Sequence, residues 1–259
     1  MKKLILSLCS MILLMAAASE ASATLLNGGF EVGSLSGWNV TLEGGRVYDI
    51  DGNYIDTIDQ FPFSIFETDD YIMPKIESAG LYSPVDGNYY LSIPGNMHHT
   101  IPFTFEGTEY TAMCDPTSTI SVSQDVFLNE GDILSGWAAL WTSDYPSFNY
   151  DRATVEISNS IISDLAIQIT VADALGEHWT DYHGEVGSSP WTYWTWTAPS
   201  DGMYTLSIKN YRDDQADSIA FFDDIQVNSV HGVPEPATWF FLASSLIGTL
   251  ILGRKKFCD

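Results

Sequence analysis

Residues 153–158 read Ala-Thr-Val-Glu-Ile-Ser, and residues 204–209 read Tyr-Thr-Leu-Ser-Ile-Lys. In each, apolar side chains (Ala153, Val155, Ile157; Tyr204, Leu206, Ile208) alternate with polar ones. A period of two puts the two sets on opposite faces of an extended chain, the pattern of a half-buried β-strand. Working outward, the same reading predicts strands over roughly 46–50, 88–93, 119–128, 132–141, 165–171 and 191–197. Turn residues fall between them at Asp86-Gly87-Asn88, Asn129-Glu130-Gly131-Asp132 and Pro199-Ser200-Asp201-Gly202. No amphipathic helix of useful length interrupts the series, and no Pro/Ser-rich linker divides it. Many short strands spaced in this way predict an all-β fold, a single antiparallel β-sandwich over residues 24–230. Residues 95–118 lack a clear period and are expected to form a long loop. The tetrapeptide Leu-Ser-Gly-Trp occurs twice, at 35–38 and 134–137, which is too short to establish a repeat.

The two ends differ from this middle. Lys2-Lys3, an apolar run from Leu4 to Met15 and the small residues Ala21-Ser22-Ala23 have the layout of a secretory signal peptide, residues 1–23, removed by signal peptidase. Near the other end, residues 237–253 contain no charge. At about 1.5 Å per residue they reach roughly 25 Å, enough for a thin bilayer core, so a C-terminal transmembrane helix is expected. Arg254-Lys255-Lys256 follow at once and should stay cytoplasmic, leaving the rest of the chain outside. Cys114 is alone between the two terminal segments, so no disulfide is expected within the domain.

The chain of 259 residues carries 34 acidic and 10 basic side chains, a formal net charge of −24. Such a field repels phosphate backbones and excludes nucleic acid as a partner. At 45% hydrophobic and 13% aromatic residues, the composition is far from that of a disordered acidic tail. No nucleophile elbow, P-loop, dinucleotide fingerprint or metalloprotease helix is present, so a non-enzymatic binding role is expected. With acids so abundant, composition leaves open a polysaccharide-degrading enzyme using exposed carboxylates, and also a purely structural matrix protein.

Val233-Pro234-Glu235-Pro236 precedes the apolar span, and two prolines one residue apart continue neither strand nor helix. The Pro-Glu-Pro triplet, the span at 237–253 and the basic cluster Arg254, Lys255 and Lys256 together resemble the PEP-CTERM sorting signal (residues 231–259). That resemblance implies processing by an exosortase near the triplet. The domain would be anchored transiently in the cytoplasmic membrane, then released to the cell surface or exopolysaccharide matrix. The terminal Phe257-Cys258-Asp259 departs from a purely basic end. Residues 24–230 resemble the galactose-binding-like jelly roll of carbohydrate-binding modules. The motifs are Leu26-Asn27-Gly28-Gly29-Phe30-Glu31 with Leu35-Ser36-Gly37-Trp38, Asp86 to Leu91, Gln124-Asp125-Val126, Trp191, Gly202 to Leu206 and Asp223-Asp224-Ile225. The first of these looks like that fold's opening strand and turn. The resemblance implies polysaccharide as a partner and a structural calcium ion.

Three constellations are candidates for function. Ile219, Phe221, Asp223, Ile225 and Val227 share one face by period-two counting, which sets a carboxylate in an apolar row. A buried carboxylate needs hydrogen bonds or a cation. By the resemblance, Asp223 or Asp224 with Glu31 are calcium candidates; the alternative is an aspartate bonded to backbone amides. A second acidic set is Asp144, Asp151, Asp213 and Asp217. Finally, aromatic residues crowd residues 179–196. Alternation places Trp191 and Tyr193 on one face and Trp194 and Trp196 on the other. With Trp191 in the core, Trp194 and Trp196, joined by Trp179 and Tyr182, would form an exposed sugar platform. In the alternative, a loop such as 95–118 covers the second face. His178 and His183 around Asp181 lack a third ligand and make a poor zinc site.

Overall fold

The computed structural model describes residues 24–57, 60–61, 74–95, 100–113, 119–143, 151–170, 173–174, 187–211 and 217–229. The expected signal peptide, Pro-Glu-Pro triplet, apolar span and basic cluster lie outside these residues, as do Trp179 and Tyr182. Among the described residues no helix is long and apolar enough to cross a membrane.

Residues Ala23–Ser229 form one compact unit. Its strands are β1 (Asn39–Glu43), β2 (Arg46–Asp49), β3 (Tyr54–Thr57), β4 (Lys75–Glu77), β5 (Tyr90–Gly95), β6 (Thr100–Phe105), β7 (Thr108–Met113) and β8 (Thr119–Leu128). They continue with β9 (Ile133–Thr142), β10 (Arg152–Ser158), β11 (Ser163–Thr170), β12 (Gly187–Ser188), β13 (Thr192–Thr197), β14 (Gly202–Tyr211) and β15 (Ser218–Asn228). One sheet runs β1-β8-β14-β10-β11 and a second runs β12-β9-β15-β5-β4, with β13 on β9; the pairings are antiparallel. The two sheets meet across a single core. Val122, Val126, Val155, Ile157, Leu206 and Ile208 come from the first sheet; Leu91, Ile93, Leu134, Ala138, Leu140, Ala220 and Phe222 come from the second. The alternation of 153–157 and 204–208 is thus the inward row of two paired strands, Val155 opposite Ile208 and Ile157 opposite Leu206. At about 25 cal/mol per Å² of apolar surface buried, these rows are the main source of stability.

Two expectations are corrected. Residues 95–118 are not one long loop: they hold the β6–β7 hairpin. Its turn is Glu106-Gly107, both at positive φ (50° and 82°), which matches the twist of the flanking strands. Pro102 lies within β6, and β6 is the edge of a third sheet, β3-β2-β7-β6, where a missing N–H is tolerated. That sheet lays Val47, Phe103 and Ala112 onto the core. The opening segment also differs. Leu26 to Trp38 is a run of turns, and the first strand begins at Asn39. Asn27 and Phe30 adopt left-handed backbone conformations (φ 51° and 57°), which a strand cannot contain. The segment is held by Gln124, whose carboxamide accepts from the Leu26 N–H and donates to the carbonyls of Leu26 and Gly37.

Candidate functional site

The aromatic segment lies with the opposite facing to the one expected. In β13, Thr192, Trp194 and Trp196 point inward, and Tyr193, Thr195 and Thr197 point outward. Trp194 is 3% exposed; Tyr193 is 52% exposed. Trp194 and Trp196 are therefore core residues, not a sugar platform. The indole of Trp194 lies opposite Gly136, where an added Cβ would stand 3.0 Å from its Cζ2. Gly136 thus makes room for the ring. Trp196 packs edge-on against Tyr204 and donates from Nε1 to Asp164 Oδ2 at 2.9 Å. Trp191 precedes the strand, so the alternation does not govern it. It is half-buried on the outer side of the second sheet, within a cluster of Tyr82, Tyr90, Ala139, Trp141, Ile219 and Phe221.

The outer face of that sheet carries further rings, of which Tyr193 is exposed and Trp137 and Trp141 are half-buried. In β9 the inward row is Leu134, Gly136, Ala138 and Leu140, so Ser135, Trp137, Ala139 and Trp141 face out. Trp137 pairs with Tyr193 across the strands, and their rings stand 5.1 Å apart at 53°. Sequence reasoning missed Trp137, Trp141 and Tyr82. Period-two counting over 133–142 would have placed both tryptophans on one face; Tyr82 sits in a turn region without a period.

The segment 78–89 lies across this face and covers part of it. Tyr82 packs on Phe221 (4.7 Å) and Trp191 (5.1 Å), and its hydroxyl donates to Ser189 O at 2.6 Å. Trp191 Nε1 donates to Ser83 O at 3.1 Å. Two carboxylates fasten the same segment. Asp223, fully buried, accepts from Val85 N at 2.6 Å and Asp86 N at 3.4 Å through Oδ2, and from Asp224 N at 2.7 Å through Oδ1. Burial outweighs these bonds and pushes its carboxyl up to about 6. Exposed Glu31 accepts from the amides of Asn88 and Tyr89, and these bonds hold its carboxyl below its ordinary value. A Cβ on Gly87, which has φ +65°, would collide with the Glu31 carboxylate.

The calcium candidates therefore face amide hydrogens. Glu31 and Asp223 point their oxygens at backbone N–H groups, which carry the same sign of partial charge as a cation, and Asp224 Oδ1 accepts from Gln226 Nε2. Among the described residues no group of three or more His, Cys, Asp or Glu is placed to hold a metal ion. The hydrogen bonds made by Asp223 and Glu31 fit the amide-bonded alternative. The apolar row around Asp223 is also revised. A β-bulge between Asp223 and Gln226 splits it, so that Phe221 and Asp223 face out while Ile225 turns into the main core. Of the second acidic set, Asp151 is buried, Asp217 is exposed, and Asp144 and Asp213 lie outside the described residues. His178, Asp181 and His183 lie outside them as well.

No protein-family model matches the sequence, and no curated relative matches it. Among solved structures the chain is similar to the carbohydrate-binding module TmCBM61, solved in complex with β-1,4-galactotriose. The two are 14% identical over 81% of this chain and 99% of that one, with a TM-score of 0.43. It is also similar to CBM28, a carbohydrate-binding module specific for non-crystalline cellulose (11% identical, 80% and 94% covered, TM-score 0.37). A third is the enzymatically active domain of tailspike protein 4 of bacteriophage CBA120 (10% identical, 80% and 21% covered, TM-score 0.36). At these identities and TM-scores the likeness says nothing of what this chain binds.

Proposed function

We propose that this chain is an exported, non-catalytic polysaccharide-binding protein of the cell envelope or extracellular matrix. The observation that carries the reading is the outward pair Trp137 and Tyr193 on the second sheet. Tyr193 is exposed and Trp137 half-buried beside it; apolar ring surface left in solvent is costly to keep wet, and the apolar C–H face of a sugar ring is a matching surface. The formal charge of −24 disfavours anionic membrane surfaces and nucleic acid as partners. Export and release rest on the sequence pattern: a signal peptide at 1–23, Val233 to Pro236, the span at 237–253 and Arg254 to Lys256, with an exosortase as the processing partner.

Affinity electrophoresis of the full chain in gels containing soluble polysaccharides tests the binding. At least one polysaccharide should retard the wild type. Tyr193→Ala should abolish the retardation, and Ile161→Ala, a change at a side chain 86% exposed in the β10–β11 turn, should not. Release of reducing ends from the retarding polysaccharide would replace this reading with a polysaccharide-degrading enzyme.

A further inference from the structure

The bulge in β15 delivers two polar side chains to the edge of the aromatic pair. Across the outer face, one row runs Tyr193, Trp137, Asp223, and the next runs Thr195, Ser135, Gln226. Between those rows β15 contributes two residues, Asp224 and Ile225, where β9 contributes Gly136 alone. Ile225 takes the inward place, 3% exposed. Asp224 is turned out, at φ +49°, a left-handed conformation that aspartate tolerates better than most residues. Bulges of this kind re-aim side chains, and strained residues that persist often mark binding sites. Gln226 is exposed, and its Nε2 donates to Asp224 Oδ1. Among the described residues, Asp224 Oδ2, the Gln226 carboxamide oxygen and the second amide hydrogen make no hydrogen bond. The pair therefore offers two acceptors and a donor along the diagonal from Trp137, within about 7–8 Å of its position. A sugar ring needs just these two surfaces: rings under its C–H face and acceptors and donors along its hydroxyl edge.

Two further observations narrow the ligand. The Trp137 and Tyr193 rings are inclined by 53°, so both cannot lie flat on one planar surface. They suit a single chain whose successive sugars turn, not the flat face of a crystalline polysaccharide. The net charge of −24 repels polyanions, and the carboxylate of Asp224 adds to that repulsion at the site itself.

We propose that Asp224 and Gln226, delivered by the β15 bulge beside the Trp137–Tyr193 rings, determine specificity for a single chain of uncharged sugars. The proposal rests on the polysaccharide-binding reading of this face. The full chain, solubilised in mild detergent, would be titrated against soluble mixed-linkage β-glucan, galactomannan and xylan. Alginate would serve as a polyanion and microcrystalline cellulose as a flat solid. The wild type should bind a neutral soluble chain, with affinity unchanged between low and high salt. Asp224→Asn, which keeps shape and suits a left-handed backbone, and Gln226→Ala should each weaken that binding about tenfold without moving the melting point. If Tyr193→Ala abolishes binding while Asp224→Asn and Gln226→Ala bind like the wild type, the pair has no part and the platform stands. Binding to alginate, or stronger binding to microcrystalline cellulose than to every soluble chain, would overturn the ligand class. If the wild type binds none of these polysaccharides, the reading of the face fails and this inference with it.

Discussion

Cutting Trp194 to alanine is the most direct test of which face of β13 is buried. The indole is 3% exposed, lies opposite Gly136, and belongs to the core shared by both sheets. Removing a buried tryptophan costs about 3–5 kcal/mol, through lost burial and the cavity left behind. For a folded unit of this size, a kilocalorie corresponds to about 2–4 °C, so Trp194→Ala should lower the melting midpoint by roughly 6–20 °C. A second variant sharpens the argument. Trp194 Nε1 is buried and makes no hydrogen bond among the described residues. An unpaired buried N–H costs about 1–3 kcal/mol. Trp194→Phe removes that penalty along with part of the ring, so its midpoint should stay within about 4 °C of the wild type. Tyr193→Ala loses only an exposed ring and its contact with Trp137, about 0.5–1.5 kcal/mol. Near-ultraviolet circular dichroism melts of the three variants in the full chain supply the measurement. If Trp194→Ala melts within 2 °C of the wild type, taking a degree or two as the scatter of such melts, the assignment of faces is refuted.

Three further outcomes are expected. Asp223 is raised in the folded state from 3.8 to about 6, so the native protein holds its proton more tightly than the unfolded chain. Its contribution to stability is therefore greatest below pH 4, declines as pH rises to about 6 and is flat above, a change of about 2–3 kcal/mol. Glu31, held low by the Asn88 and Tyr89 amides, runs the other way, so the measurement is the wild type minus Asp223→Asn by urea unfolding from pH 4 to 7. A flat difference would contradict the burial of Asp223. Chelator should leave the melting midpoint where millimolar calcium leaves it; a rise of several degrees with calcium would restore the cation reading of Glu31, Asp223 and Asp224. In the producing cell, the released form should end near Pro234, and an extracellular form that keeps Lys256 would refute exosortase processing.

β10 and β14, each with one wet face and one dry face, follow directly from a period of two, and apolar runs bounded by turn residues place β2, β5, β8, β9, β11 and β13 as well. β6 was not legible, because Pro102 contradicts a strand unless its place at a sheet edge is known. Alternation also leaves one degree of freedom unresolved, namely which of the two faces is the core. In residues 191–196 both faces carry rings, so hydrophobicity alone does not choose between Trp194 and Tyr193. The choice is made by pairing. β13 lies on β9, and only the inward face of β9 offers a glycine, Gly136, beneath an indole. The same Leu-Ser-Gly-Trp that seemed too short to interpret then does two things at once: Gly136 seats Trp194 inside, and the next residue, Trp137, meets Tyr193 outside.

The buried carboxylate of Asp223 makes physical sense only together with the segment it holds. An uncompensated buried charge would cost several kcal/mol, and three amide donors offset that cost without removing it, since the carboxyl remains raised to about 6. What the cost maintains is the path of residues 78–89 over the sheet. Asp223 fixes that path at Val85 and Asp86, and Glu31 fixes it at Asn88 and Tyr89. Along that path Tyr82 covers Phe221 and packs against Trp191, while the Trp137–Tyr193 pair remains outside the cluster. The extent of the exposed aromatic surface is therefore set by where two acidic side chains fasten one loop. The bulge that follows Asp223 then determines which polar groups stand beside that surface.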